Sequence, residues 1–84
     1  MPEVEIGKVS DFFAHPVVAG IELSKPLKVG DKIHITGHTT DTELTVDSMQ
    51  IDNKKVAEAK AGESVGIKVN DRVRGGDTVY KVTD

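Results

Sequence analysis

Three histidines, His15, His34 and His38, are the residues in this 84-residue chain best suited to hold a metal or move a proton. Neutral imidazoles held close together ligate zinc well. The spacing does not favour that here. His34 falls on the outward parity of an alternating stretch, and Gly37 intervenes before His38. No glutamate motif of the zinc-peptidase kind adjoins either residue. The expectation is solvated histidines and no metal site. Hydroxyls crowd the same region, at Thr36, Thr39, Thr40, Thr42, Thr45 and Ser48. A nucleophile needs a paired base and an orienting acid, and His38 with Asp41 can be drawn into such an arrangement. Turns between strands are rich in Thr and Asp for conformational reasons, so no catalytic residue is assigned. Cysteine is absent, which removes thiolate chemistry, disulfides and cysteine-ligated zinc.

A second kind of chemistry is recognition. Arg72 and Arg74, with Lys68 and Lys81 nearby in the pattern, form the best basic cluster. With an exposed Phe12 or Phe13 they would contact phosphates and stack on a base. The formal net charge of −3 works against this, because it provides no broad electropositive field. The plainer reading is a solvated loop and a surface aromatic. Arg72, Arg74, Lys68, Phe12, Phe13 and His38 are the candidate binding residues. Asp71 and Asp77 read as turn residues, and Lys54, Lys55 and Glu58 as a solvated surface.

The elements that would position these residues follow one grammar. The stretch from Leu27 to Gly37 organises the chain: a turn at Gly30-Asp31 feeds an alternating strand. Ile33 and Ile35 lie on one face, and Lys32, His34 and Thr36 on the other. The same Gly-acid turn recurs at Gly62-Glu63 and Gly76-Asp77, each before a short strand. Residues 4–13 read as a first strand with a bend at Gly7, where the apolar parity changes between Ile6 and Val9. Phe12 and Phe13, being neighbours, point to opposite faces. A turn at 14–16 leads to a half-buried strand carrying Val17, Ala19, Ile21 and Leu23. Residues 42–51 read as one strand, with a bulge near Asp47-Ser48 bringing Leu44, Val46, Met49 and Ile51 to one side. Residues 54–61 are the only helix-favouring segment, long enough for one docked turn. Residues 65–69 form a fifth strand, and 77–82 close the sheet. About six turn-punctuated strands predict a single all-β domain over 1–84, a small closed antiparallel β-barrel.

The order of motifs resembles a known module. Pro16-Val17-Val18-Ala19-Gly20, Leu27-Lys28-Val29-Gly30-Asp31, Asp47-Ser48-Met49-Gln50-Ile51 and Ala59-Lys60-Ala61-Gly62-Glu63-Ser64-Val65-Gly66-Ile67 together look like the second domain of translation elongation factor Tu. That domain is a six-stranded barrel shared among translational GTPases. The chain also resembles the related barrel at the C-terminus of collagenase-like peptidases, and stand-alone elongation-factor-like proteins. There is no Gly-x-x-x-x-Gly-Lys-Ser/Thr phosphate loop, so no GTP binding is expected of this chain. Where the elongation factor uses acidic residues on its first strand to hold the terminal adenosine of tRNA, this chain has Ile6-Gly7-Lys8-Val9. That activity is not carried over.

The resemblance implies a non-enzymatic binding module that docks on a protein or ribonucleoprotein partner, with tRNA and the ribosome as candidates. Loops 70–76 and 37–41 at one rim would supply the contacts. The alternative is an accessory or regulatory subunit of a separately encoded enzyme such as a collagenase-like peptidase. No cofactor is expected. The first residues lack the basic and apolar regions of a signal peptide, and no apolar run approaches spanning length, so a cytoplasmic location without membrane contact is expected.

Overall fold

The structure is a computed structural model and describes residues 3–14, 17–69 and 72–83. His15 of the histidine trio, Pro16 of the expected turn, and Asn70 and Asp71 of the candidate loop lie outside the described residues.

Among the described residues every regular element is a strand: β1 (Glu3–Ala14), β2 (Val17–Leu23), β3 (Leu27–Lys28), β4 (Lys32–Thr36) and β5 (Asp41–Thr45), then β6 (Met49–Ile51), β7 (Lys54–Val56), β8 (Glu58–Ala59), β9 (Ser64–Lys68) and β10 (Thr78–Val82). The expected all-β class forms, and its ladders are antiparallel. Eight strands make one sheet in the order β5–β4–β10–β1–β2–β9–β6–β7, while β3 and β8 make a two-stranded ribbon. Among the described residues no helix is long and apolar enough to cross a membrane.

Several details differ from the sequence reading, beginning with ten strands among the described residues where about six were expected. Residues 54–61 form no helical turn; they make β7 and β8. Eight residues of favourable composition cannot nucleate a helix unaided, whereas the extended backbone lets Val56 pack on the core and buries Ala59. The strand expected over 42–51 is two strands, β5 and β6, because residues 46–48 form a corner and not a bulge. Leu44, Val46, Met49 and Ile51 still all reach the core. Finally, β10 does not close the sheet but is inserted between β1 and β4.

The corner dictates the shape. Strands β5 and β6 stand six strand spacings apart in the sheet order, about 29 Å if the sheet were flat. Residues 46–48 alone join them, a reach of about 14 Å at full extension. The sheet must therefore roll. Bulges help it do so: the register of β1 slips between Glu5 and Gly7 against β10, and between Val9 and Asp11 against β2. The first slip adjoins the bend expected at Gly7, where a Cβ would collide with the Glu22 carbonyl oxygen.

No ladder joins the outer strands β5 and β7 among the described residues, so the pairing remains open where the sequence reading expects closure. The gap is bridged by the ribbon and the first Gly-acid turn. The N–H of Val29 donates to the carbonyl of Ala57 (2.9 Å), extending the β3–β8 pairing. The Gly30 N–H donates to the Val46 carbonyl, and the Val46 N–H to the Asp31 carbonyl, each at 2.9 Å.

All three Gly-acid turns have the same wiring. In the first, the Lys28 N–H donates to the Asp31 carboxylate (3.0 Å) and the Asp31 N–H donates back to the Lys28 carbonyl (3.1 Å). Lys60 with Glu63, and Arg74 with Asp77, repeat the exchange. Gly30, Gly62 and Gly76 sit at the third turn position with φ of 98°, 90° and 95°, the left-handed region that glycine enters without penalty.

Inside the roll, Ile21, Ile33, Ile35 and Ile67 are fully buried on the parities read from the sequence, and Val79 of β10 joins them. Phe12 packs against this core, while Phe13 faces out, 57% exposed.

Two glycine substitutions should separate steric from conformational demand. Gly7→Ala should cost about 1–3 kcal/mol through overpacking against the β2 backbone. Gly30→Ala, with nothing within 4 Å of its new Cβ, should cost about 1–2 kcal/mol from φ alone. Urea denaturation midpoints measure both, and a neutral Gly7→Ala would refute the close approach.

Candidate functional site

Two loops meet at one rim of the rolled sheet. Thr39, Thr40 and Asp41, at the β4–β5 connection, line a pocket of about 420 Å³ with Arg72 and Arg74, which precede β10. Val73 is buried between the two arginines, and in extended chain this turns its neighbours outward. Asp77, only 6% exposed, ties the loops together. Its carboxylate accepts the Arg74 N–H at 2.8 Å and lies so close over Gly37 that a Cβ there would overlap it. Gly37 in turn donates its N–H to the Thr40 carbonyl (2.8 Å). One buried acid thus packs against both sides of the pocket.

Beside this rim, His34 is held at both ring nitrogens. Its Nδ1 lies 2.7 Å from Glu3 Oε2, and its Nε2 lies 2.5 Å from Asp41 Oδ1. A neutral imidazole has a single N–H, so bonding two carboxylates requires the imidazolium. The hydrogen bond to Asp41 raises the His34 pKa above its ordinary value most strongly; burial opposes it, and Glu3 adds to the rise. The Asp41 side chain is 82% exposed, so water screens much of that attraction. Chemically this is a clamp. An imidazole engaged at both nitrogens has no position left to take a proton from a threonine hydroxyl.

The other sequence candidates disperse. His38 is exposed on the loop next to Thr39. Lys68 lines a separate cleft with Leu44, Thr45, Asp47, Ser48 and Val69. Lys81 is paired with Asp31 (3.3 Å) beside the first Gly-acid turn. Phe13 lies on the outer face of the sheet, and Phe12 belongs to the core side. Of the expected basic cluster only Arg72 and Arg74 share a pocket. Among the described residues, no three His, Asp or Glu side chains gather as a metal centre.

Glu3, the pairing of Asp41 with His34 and the seat of Asp77 are what sequence reasoning missed. His34 pairs with Glu43 on β5 and Tyr80 on β10, so its bonds run diagonally to Asp41 and across β10 to Glu3. Only the strand order brings those residues together. The outward parity of His34 was the one available signal.

No protein-family model matches the chain. Over 79 residues, 93% of its length, it is 52% identical to an uncharacterized protease of Methanocaldococcus jannaschii. Over 81 residues it is 32% identical to a collagenase of Porphyromonas gingivalis. It covers 19% and 20% of those proteins, so it spans about a fifth of the length of the curated relatives it matches. Among solved structures it superposes, with a TM-score of 0.88, on the C-terminal domain of a Geobacillus thermoleovorans protein described as a U32 peptidase. That match covers 95% of this chain and 93% of the other at 13% identity, and shows a shared fold. The chain is thus similar in fold to the C-terminal domain of that protein over nearly its whole length.

The His34 clamp makes stability depend on pH. A folded-state pKa raised above the unfolded value of about 6.5 stabilises fully below that value, and the gain is lost as pH rises through the folded pKa. The expected loss is about 1 kcal/mol or less, given the exposed Asp41. Urea midpoints taken from pH 6 to 9 should fall for the parent and flatten for His34→Gln. Equal slopes would exclude the clamp.

Proposed function

We propose that this chain is a non-catalytic accessory module that works with a peptidase body of the collagenase-like, U32 kind. The observation that carries this reading is the extent of the match. The chain corresponds to nearly all of an isolated C-terminal domain, and to about a fifth of longer proteins named as proteases or collagenases. In this reading the reacting groups reside on the peptidase body, and this chain contributes a docking surface. The rolled eight-stranded sheet then stands in place of the closed barrel expected from the sequence. Its rigidity lowers the ordering cost of binding for loops fixed at its rim. Arg72 and Arg74 are the proposed contacts, presented with Thr39 to an acidic surface of the partner.

A second reading has its own support. The same pocket would receive a phosphate through the two guanidinium groups, with the Asp41 carboxylate on its lining opposing it and engaged by His34. Docking on a ribonucleoprotein, as the translation-factor resemblance implies, would use that chemistry.

Affinity capture with the tagged full chain in native extract, with and without ribonuclease and at two salt concentrations, separates the two. The accessory role predicts one peptidase-class chain that survives both treatments. Ribosomal proteins or tRNA recovered only without ribonuclease, and lost at high salt, would replace it with the second reading. In either case Arg72→Glu with Arg74→Glu should weaken association by about tenfold or more, about 1.4 kcal/mol, without lowering the melting temperature. Unchanged binding by a folded double variant would exclude the rim.

A further inference from the structure

Three glycines lie inside strands, and they differ in what the fold asks of them. Gly7 is sterically required, as described above. Gly20 on β2 and Gly66 on β9 are not. Neither has a positive φ, and an added Cβ would make only ordinary contacts: 3.4 Å to Asp11 Cβ and Ser10 Oγ at Gly20, and 3.4 Å to Val18 Cγ1 at Gly66. Glycine weakens a strand interior, since it loses more entropy on folding and packs nothing. Here two of them sit directly opposite each other across the β2–β9 ladder. Their neighbours Ala19, Ile21, Val65 and Ile67 are buried, so the alternation turns both glycines to the outer face. There they form the floor of a groove of about 660 Å³.

The walls of this groove define what fits. Phe13 contributes a large exposed ring. Gln50, opposite Gly66 in the β6–β9 ladder, contributes an amide. Among the described residues the titratable groups lining it are Asp11 and Asp52, both acidic, with no lysine or arginine. A bare backbone floor admits a flat group at close range, and an exposed aromatic face attracts a delocalised cation. Carboxylates accept the guanidinium fork and repel a phosphate.

We propose that the groove receives an arginine-bearing extended segment of a protein partner. The side chain lies flat on the Gly20–Gly66 backbone against Phe13, with its guanidinium taken up by Asp11 or Asp52. This surface shares no lining residue with the rim pocket, so the inference stands or falls independently of the proposed function.

The test uses the isotopically labelled full chain titrated with a Gly/Ser peptide carrying two arginines, and with the same peptide carrying citrulline, the neutral isostere. The arginine peptide should shift the amide resonances of Phe13, Gly20, Gln50 and Gly66, and the citrulline peptide should not. Asp11→Asn with Asp52→Asn should weaken binding by about tenfold or more, and Gly66→Val should abolish it by filling the floor. Gly20→Ala and Gly66→Ala should melt at the parent temperature or above it. Equal binding of the citrulline peptide, or shifts mapping to another face, would overturn the proposal. So would a single-stranded oligonucleotide moving these amides where the peptide does not. Unfolding of the alanine variants would make the glycines structural and equally remove its basis.

Discussion

A three-residue corner governs this molecule. Residues 46–48 must carry the chain from β5, at one side of the sheet, to β6, next to the other side. A short connection between distant positions in a sheet is possible only if the sheet curls until those positions meet. The main-chain bonds of Val46 to Gly30 and Asp31 then hold the corner against the first Gly-acid turn, and its buried side chain anchors it in the core. The two bulges on β1 and the close approach of Gly7 to β2 are the local distortions that let eight strands bend so sharply.

The repeated turn gives that curl its precision. Each Gly-acid pair starts a strand of the main sheet (β4, β9 or β10), and each acid satisfies the N–H of the residue three positions earlier. The acids are then used again for tertiary purposes. Asp31 pairs with Lys81 on β10, and Asp77 packs over Gly37 to fix the rim loops. A turn residue thereby becomes a fastener between elements far apart in sequence. The rim pocket and the outer groove differ in character for the same reason. The first is assembled from loops pinned by such a fastener, the second from regular strands whose side chains are missing at two facing positions.

Much of the candidate surface was legible in the residues. The outward parity of His34 and the opposed faces of Phe12 and Phe13 follow from alternation, whereas a common rim for loop 37–41 and the segment holding Arg72 and Arg74 was implied by the barrel resemblance. The partners of His34 were not legible, because Glu3 reaches it only across β10, and β10 lies between β1 and β4 only in the folded sheet. Lys81 lies toward the far end of β10 from the arginines, where it pairs with Asp31. Lys68 ends β9 and lines a separate cleft. Charge clusters read along a chain assume that neighbours in sequence remain neighbours in space, and an eight-stranded roll breaks that assumption.

By itself, the sequence determined the strand character of the chain, the inward parity of β2, β4 and β9, and the three turns that launch strands. These are properties of two to eight consecutive residues, set by side-chain alternation and by the conformations glycine alone reaches freely. Tertiary structure decided the rest. Residues 54–61 have helix-favouring composition, yet extended pairing lets them bury Ala59 and pack Val56, and that gain outweighs weak helix propensity in so short a segment. Strand order, the open seam between β5 and β7, and the meeting of Glu3, His34 and Asp41 depend on contacts between residues distant in the chain. No local pattern encodes those contacts, because their free energy exists only once the sheet has rolled.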